Sequence, residues 1–540
     1  MNANIAVIDM TKRKVHIKSL PESTLKECIG GRGLALYLLK EYWIPGAYPL
    51  DPDNPLIITT GPLSGLRDIC ASAVLSFRSP LTKTYSDCYL EGDFGGMLKK
   101  AGFDALVIYG RAQVPLYLLI TEGKIEFRNA LSVWYSSVHE TLEYMYEDAG
   151  IHGSSLVIGP AGSYLVRPSG VIVDGVWLTG RGGAGLVLGV KRLKGILVYG
   201  NRELTVRDYD SLYEVWAQNL KSSVPPNPLS TLGLPSISKL VPYRNFNTLE
   251  EECGLVRELD VLRVGVLSCK GCPMGCSLIY RTSNGLKTID VNSALMLGPN
   301  LGVCSLENVL ELMNRCRDLG LEPISTGAIL SWFMEIMDRK YITEEDTDGL
   351  SIEFGDMSTI LEVLDLIAHR KGFGAIMAEG VMRASRIINK GTDRSAVHVA
   401  GLEMGSINPI EDPMLQLMYL TALSPLDILS LRDYLPSLPR SLEELLELRL
   451  RKSLAFTLPL CGRYPIEFKF VREILKYSMN LDLKEDKLKF MSKNILKFIS
   501  SIRSKEGLKD YPSIPSNKVI KRTPLLDRLL RAWIGYFQIS

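Results

Sequence analysis

Ser268-Cys-Lys-Gly-Cys-Pro-Met-Gly-Cys276 is the stretch around which the chain is organised. Its cysteines follow C-x2-C-x3-C, and the glycines and proline between them make a compact claw of three thiolates suited to a soft metal centre. An iron–sulfur cluster is the guest that this spacing predicts, because sulfur donors match iron's softness and a four-iron cluster takes four cysteines. Structural zinc is the alternative. Zinc sites usually pair C-x2-C with a second such pair or with histidine, and no second pair exists here.

Working outward, 540 residues predict two to four domains. A chain that is 46% hydrophobic and 23% charged reads as soluble and globular with ample core. Lys+Arg 62 against Asp+Glu 60 argues against a nucleic-acid partner. The longest apolar runs, such as Ala184 to Val190, fall far short of the roughly 20 residues that a membrane helix needs, so no membrane partner is expected. The opening MNANIAVIDMTKRKVHIK carries Asp9 inside its apolar run and reads as a first strand rather than a signal peptide. Ten cysteines are too sparse for a disulfide scaffold and suit a reducing cytoplasm with metal-binding thiols. Cys28, Cys70, Cys88, Cys253, Cys304 and Cys316 stand singly and are expected to be small buried hydrophobes.

The periodicity predicts an α+β chain: a β-rich N-terminal domain of two packed sheets, then mostly helical C-terminal domains. Domain boundaries are expected at 1–203, 204–395 and 396–540, with the claw in the second. Leu56–Thr60, Ala73–Phe77, Ala105–Tyr109, Leu116–Thr121, Leu156–Gly159, Val171–Asp174 and Ile196–Tyr199 read as strands. Helices are expected over Leu34–Tyr42, Val138–Asp148 and Tyr209–Leu220, followed by a loop, SSVPPNPLSTLGLPS. Beyond the claw the pattern is helical, with Ser305 as an N-cap and Gly320 as a stop, Ser441-Leu-Glu-Glu444 as a capping box, and helices at Thr359–Arg370, Ile376–Ile388 and Lys484–Ser501.

Three glycine-rich stretches lie in the β-rich region: Gly30-Gly-Arg-Gly33, Gly92-Asp-Phe-Gly-Gly96 and Gly180-Arg-Gly-Gly-Ala-Gly185. Backbone N–H groups beside Arg32 and Arg181 can cradle phosphate, while glycine turns between buried strands are the structural alternative. None follows the dinucleotide pattern. His16, His139, His152, His369 and His398 show no paired ligand spacing, and His369 is expected to serve a helix C-terminus. Nucleophile elbow, phosphate-binding loop and kinase signatures are absent from the sequence.

Much of the chain resembles the aldehyde:ferredoxin oxidoreductase family of tungsten-pterin enzymes. The resemblance rests on GGRGLALYLL at Gly30–Leu39, GPLSG at Gly61–Gly65, SPLTKT at Ser79–Thr84 and FGGMLKKAGFDALVIYG at Phe94–Gly110. It continues through IGPAGSYLVRPSGVI, TGRGGAGLVLGVKRLKGI at Thr179–Ile196, CKGCPMGC, LGPNLGV, DLGLEPISTGAIL, FGDMSTILEVLDLIAHRKGFGAIMAEGV, AVHVAGLE and SSIRSKEGLKDYPSIP. It implies a β-rich domain covering a tungsten (or molybdenum) bis-pterin, helical domains beneath it, and a 4Fe-4S cluster on Cys269, Cys272, Cys276 and Cys461. It further implies that Arg32, Gly92, Gly95, Gly180, Arg181, Gly182, Gly183 and Gly185 hold the cofactor. An aldehyde-like substrate, ferredoxin as electron acceptor and a homodimer follow from it too.

The departures fall on active-site positions. Phe456 and Pro459 stand where the family's late D-x-x-G-L-C motif has acid and glycine, and the matching earlier motif reads Arg317-Asp-Leu-Gly-Leu-Glu322. The family's acidic stretch appears as Ile289-Asp-Val-Asn-Ser293, and its histidine as Ile428. Tyr89 takes the place of an asparagine and Ala400 that of a lysine. Asp290 and Glu322 are left as the candidate catalytic carboxylates. Two readings follow: an active aldehyde-type oxidoreductase, or a divergent relative that keeps fold and cluster as an electron-transfer or assembly partner.

Overall fold

The computed structural model describes residues 2–223, 240–247, 253–425, 427, 439–464, 466–506 and 518–538. Most of the loop expected at 222–236, Ile428, and the 507–515 end of SSIRSKEGLKDYPSIP lie outside them.

The first 200 residues build two six-stranded sheets. In spatial order the first holds Lys14–Leu20, Ala3–Asp9, Ala105–Tyr109, Leu56–Thr59, Ala73–Arg78 and Tyr85–Leu90. The second holds Trp177–Thr179, Val171–Val173, Ser154–Val157, Leu193–Tyr199, Leu116–Thr121 and Lys124–Asn129. Each sheet has one parallel pairing, Ala3–Asp9 with Ala105–Tyr109 and Leu193–Tyr199 with Leu116–Thr121; the others are antiparallel. All seven expected strands fall on these elements. The opening stretch is a hairpin of two strands instead of one, because the polar residues between Asp9 and Lys14 reverse the chain.

Alternation decides what each face touches. Ala6, Ile8, Ile58, Leu75 and Leu106 of the first sheet meet Leu118, Leu156, Val171 and Ile196 of the second in one shared core. The intervening Ile5, Val7, Ile57 and Val107 point the other way, into a core shared with Leu454, Ile474 and Ile499. Those three lie on the C-terminal helices Leu442–Thr457, Phe468–Met479 and Glu485–Lys505. The first sheet is thus buried on both faces, which explains its nearly continuous apolar strands.

The remaining chain is mostly helical. Helix Pro323–Asp338 is buried along most of its length, as a helix apolar on every side must be. The other helices match the expected spans to within a few residues, except that Gly380, at φ 81°, divides the one expected at 376–388 into Gly374–Met377 and Val381–Ile388. His369 caps Met357–Ala368, its Nδ1 lying 2.8 Å from the carbonyl of Asp365. Two readings need correction. The claw is flanked by a three-stranded antiparallel sheet, Arg263–Leu267, Ser277–Thr282 and Gly285–Ile289, within the region expected to be helical. Cys253 and Cys304, expected to stand singly, form a disulfide. Among the described residues no helix is long and apolar enough to cross a membrane.

Candidate redox site

The claw is the loop between the first two strands of that small sheet, closed where Leu267 pairs with Ser277. Two glycines let it turn: Gly271 at φ 69° and Gly275 at φ 58° occupy the left-handed region that disfavours side chains. A Cβ on Gly275 would also lie 2.7 Å from Val266 Cγ2. The N–H of Gly275 donates to Ser268 Oγ at 3.1 Å and that of Cys272 to the Cys269 carbonyl at 3.0 Å, so backbone bonding sets the loop's shape.

Two distant segments bring further sulfur. Cys461 follows helix Leu442–Thr457, and Cys70 lies between strands Leu56–Thr59 and Ala73–Arg78. Cys70, Cys269, Cys272, Cys276 and Cys461 all line one cavity of about 160 Å³, together with Tyr89, Glu91, Arg181, Asp290, Arg317 and Glu322. Donors point at the sulfurs. The Tyr464 hydroxyl donates to Cys272 Sγ at 3.0 Å, and the Gly92 N–H to Cys269 Sγ at 3.3 Å. The Cys70 thiol neighbours Cys269 and Cys272 in this cavity.

These contacts sort the protons. The neighbouring Cys70, supported by Tyr464 and opposed by burial, brings Cys272 down to about 6 and favours the thiolate that metals require. Cys70 itself is held well above the usual thiol range, by the neighbouring Cys269 and Cys272 and by burial. Burial likewise pushes the Glu91 carboxyl up to about 7, and among the described residues its Oε2 has no hydrogen-bond partner. Among the described residues no three His, Cys, Asp or Glu donors converge on a single metal position.

The expected carboxylates reach the cavity wall but serve as helix N-caps. Asp290 Oδ1 accepts from the N–H groups of Asn292 and Ser293, and Glu322 from those of Ile324 and Ser325. Arg32 does not line the cavity. Fully buried, it donates to Asp87 and Asp427, with Nε 2.6 Å from Asp87 Oδ2. Arg181 reaches the cavity with Nε 3.9 Å from Glu322 Oε2, and its Nε and Nη1 have no hydrogen-bond partner among the described residues.

The glycines back onto this chain's own atoms. A Cβ on Gly95 would strike the Ser72 backbone, on Gly183 the ring of Pro80, and on Gly185 the Gly170 carbonyl. On Gly182 it would lie 2.7 Å from Ser86 Oγ, on Gly92 2.6 Å from Asp174 Oδ2, and on Gly180 2.7 Å from Ala184 Cβ. Phe456 is fully buried against Tyr89, with the Arg32 guanidinium 4.7 Å from its ring centre. Arg317 donates to the carbonyls of Val176 and Thr288, each at 3.0 Å.

Cys70, Glu91 and Tyr464 are site residues that sequence reasoning missed. Cys70 and Glu91 carry no spacing signal; Tyr464, three residues after Cys461, could have been found by its nearness to a ligand position.

Comparison with known proteins adds the following. The profile of the aldehyde ferredoxin oxidoreductase N-terminal domain matches residues 5–200, and that of its domains 2 and 3 matches residues 229–523. The tungsten-containing aldehyde ferredoxin oxidoreductases of Pyrococcus furiosus and Thermococcus kodakarensis are each 31% identical, over 74% of this chain and 69% of their own length. The WOR-like subunit of the Pyrococcus furiosus aliphatic sulfonate oxidoreductase is 30% identical over 75% of this chain and 71% of its own. Among solved structures, the benzoyl coenzyme A reductase active-site complex BamBC with 1,5-dienoyl-CoA contains a similar fold, with TM-score 0.87 and 19% identity over 100% of this chain and 95% of that one.

Proposed function

The chain belongs to the aldehyde ferredoxin oxidoreductase family, and on that premise we propose that this oxidoreductase passes electrons through one 4Fe-4S cluster on Cys269, Cys272, Cys276 and Cys461. The observation that carries the reading is that Cys461 lines the same cavity as the claw, from a segment far along the chain. Zinc draws its donors to one tetrahedral point, whereas a cubane cluster gives each thiolate its own iron.

The residues present do not fit the tungsten (or molybdenum) bis-pterin that the kinship implies. The cavity of about 160 Å³ is smaller than the roughly 300–1,000 Å³ that single small-molecule sites occupy. Phe456 and Arg317 are engaged where the family has acids, and Arg32 is committed to an internal ion pair. The geometry therefore favours a divergent member that moves single electrons through its cluster, to ferredoxin or a similar carrier. Cytoplasmic residence is part of this reading, since a disulfide joins only two of the ten cysteines, Cys253 and Cys304, and so is a homodimer, on family likeness alone.

A second reading, oxidation of an aldehyde-like substrate at a tungsten (or molybdenum) pterin with Asp290 or Glu322 as base, has one observation in its favour. Two buried nitrogens of Arg181 make no hydrogen bond among the described residues, as an anion-binding guanidinium's would not before its ligand arrives. Metal analysis of protein purified anaerobically from cells supplied with tungstate and molybdate decides between them. The first reading expects about four irons per chain and neither heavier metal. About one tungsten or molybdenum per chain, with pterin fluorescence, would replace it with the second, and zinc without iron would overturn both.

A further inference from the structure

A second cavity, of about 490 Å³, shares no lining residue with the redox site. Its volume falls within the roughly 300–1,000 Å³ of small-molecule sites. Three parts of the chain meet there: helix Glu22–Cys28 with the start of the first sheet, the connection 202–207 after strand Leu193–Tyr199, and the end of helix Phe468–Met479. The Gly61–Gly65 stretch, which the redox site leaves unused, supplies part of the wall.

The floor is apolar. Ile29, Leu34 and Leu66 belong to the core beneath the first sheet, and Leu25, Leu204 and Val206 pack half-buried against it. The rim is charged, with four cations and three carboxylates. Lys26 pairs with Glu22 at 2.9 Å and Lys99 pairs with Asp104, which leaves Arg202, Arg207 and Glu203 outside those pairs and a net positive charge. Among the described residues the Arg202 guanidinium has no hydrogen-bond or ion-pair partner. It is nonetheless seated: a Cβ on Gly102, at φ 100°, would strike it, and one on Gly123 would lie 3.0 Å from its Nη2. Gly65, at φ 78°, likewise makes room for Leu204, whose Cδ1 would lie 2.9 Å from a Cβ there. Head-group and floor residues are thus fixed by glycines on neighbouring elements.

We propose that this cleft binds an organic monoanion, an apolar chain or ring bearing one carboxylate, with Arg202 holding the head and the Leu204 floor the body. The guanidinium fork matches a carboxylate in a bidentate geometry. A dianionic phosphate would bring a second charge against Glu203 and Asp104, and a neutral apolar molecule would bring nothing to Arg202. The proposal stands apart from the cluster and does not depend on it.

The test is calorimetric titration of octanoate into the full chain at neutral pH. The expected result is a single site in the wild type, with affinity falling about tenfold or more in Arg202→Gln. Arg202 is exposed, so the variant should fold as the wild type does. Leu204→Asp, which sets a carboxylate in the floor, should abolish binding, and Arg128→Gln, on the outer strand Lys124–Asn129 of the second sheet, should leave it unchanged. 1-Octanol, of the same length without the charge, should bind far more weakly. No octanoate binding by the wild type would overturn the inference, as would equal affinity in Arg202→Gln. Octanol or inorganic phosphate bound as tightly as octanoate would also overturn it, by removing the need for the head or for the body.

Discussion

Arg32 Nε lies 2.6 Å from Asp87 Oδ2, and both side chains are fully buried. The same guanidinium reaches Asp427, at 3.2 Å, and Ser424, at 3.1 Å, so a residue from the first glycine-rich stretch ties the N-terminal sheet to a segment near the C-terminal helices. Removing one partner of such a pair strands the other charges away from water.

Arg32→Met is therefore expected to destabilise the protein by about 3–5 kcal/mol, read as a lower denaturation midpoint. Iron per folded chain should not change. A variant of wild-type stability that has lost only a cofactor would show that Arg32 binds the cofactor after all.

Cys461→Ala should lower iron per chain and bleach the visible absorbance of the cluster. Cys316→Ala provides the control, since Cys316 is fully buried in the helical core. Equal iron in the two variants would remove Cys461 from the ligand set.

Lys191 is fully buried, with its Nζ donating to the Pro52 carbonyl at 2.7 Å, and burial pushes its pKa down from 10.5 to about 7. Between about 7 and 10.5 the unfolded chain binds a proton that the folded chain does not, so stability rises with pH across that window. Below about 7 the charged ammonium is buried at a cost. Lys191→Met should flatten this dependence, its melting temperature gaining on the wild type at pH 6 relative to pH 10. Parallel melting curves against pH would contradict the assignment.

The Cys253–Cys304 disulfide spans 51 residues, including the claw, and a crosslink of that loop length contributes about 4 kcal/mol in the chain-entropy account. A Cys253→Ser/Cys304→Ser variant is expected to melt several degrees lower with its iron intact. Unchanged melting would mean that the pair is not bonded in solution.

The sequence by itself determined the elements and the claw. Strand alternation, apolar helical periodicity, C-x2-C-x3-C spacing and the glycines of a tight loop are relations between near neighbours, legible without a fold. The small sheet beside the claw was legible in principle, in the alternation of Arg263-Val-Gly-Val-Leu267, but its outward valines are exposed and mimic no buried strand. Only the tertiary structure decided which distant side chains share the cavity. Cys70 and Glu91 enter it, Arg32 leaves it for Asp87 and Asp427, and Asp290 and Glu322 are held there as helix caps. At the glycines of the expected cradle an added Cβ would meet backbone or side chain. Such pairings depend on how sheets and helices stack across hundreds of residues, and no local pattern encodes that.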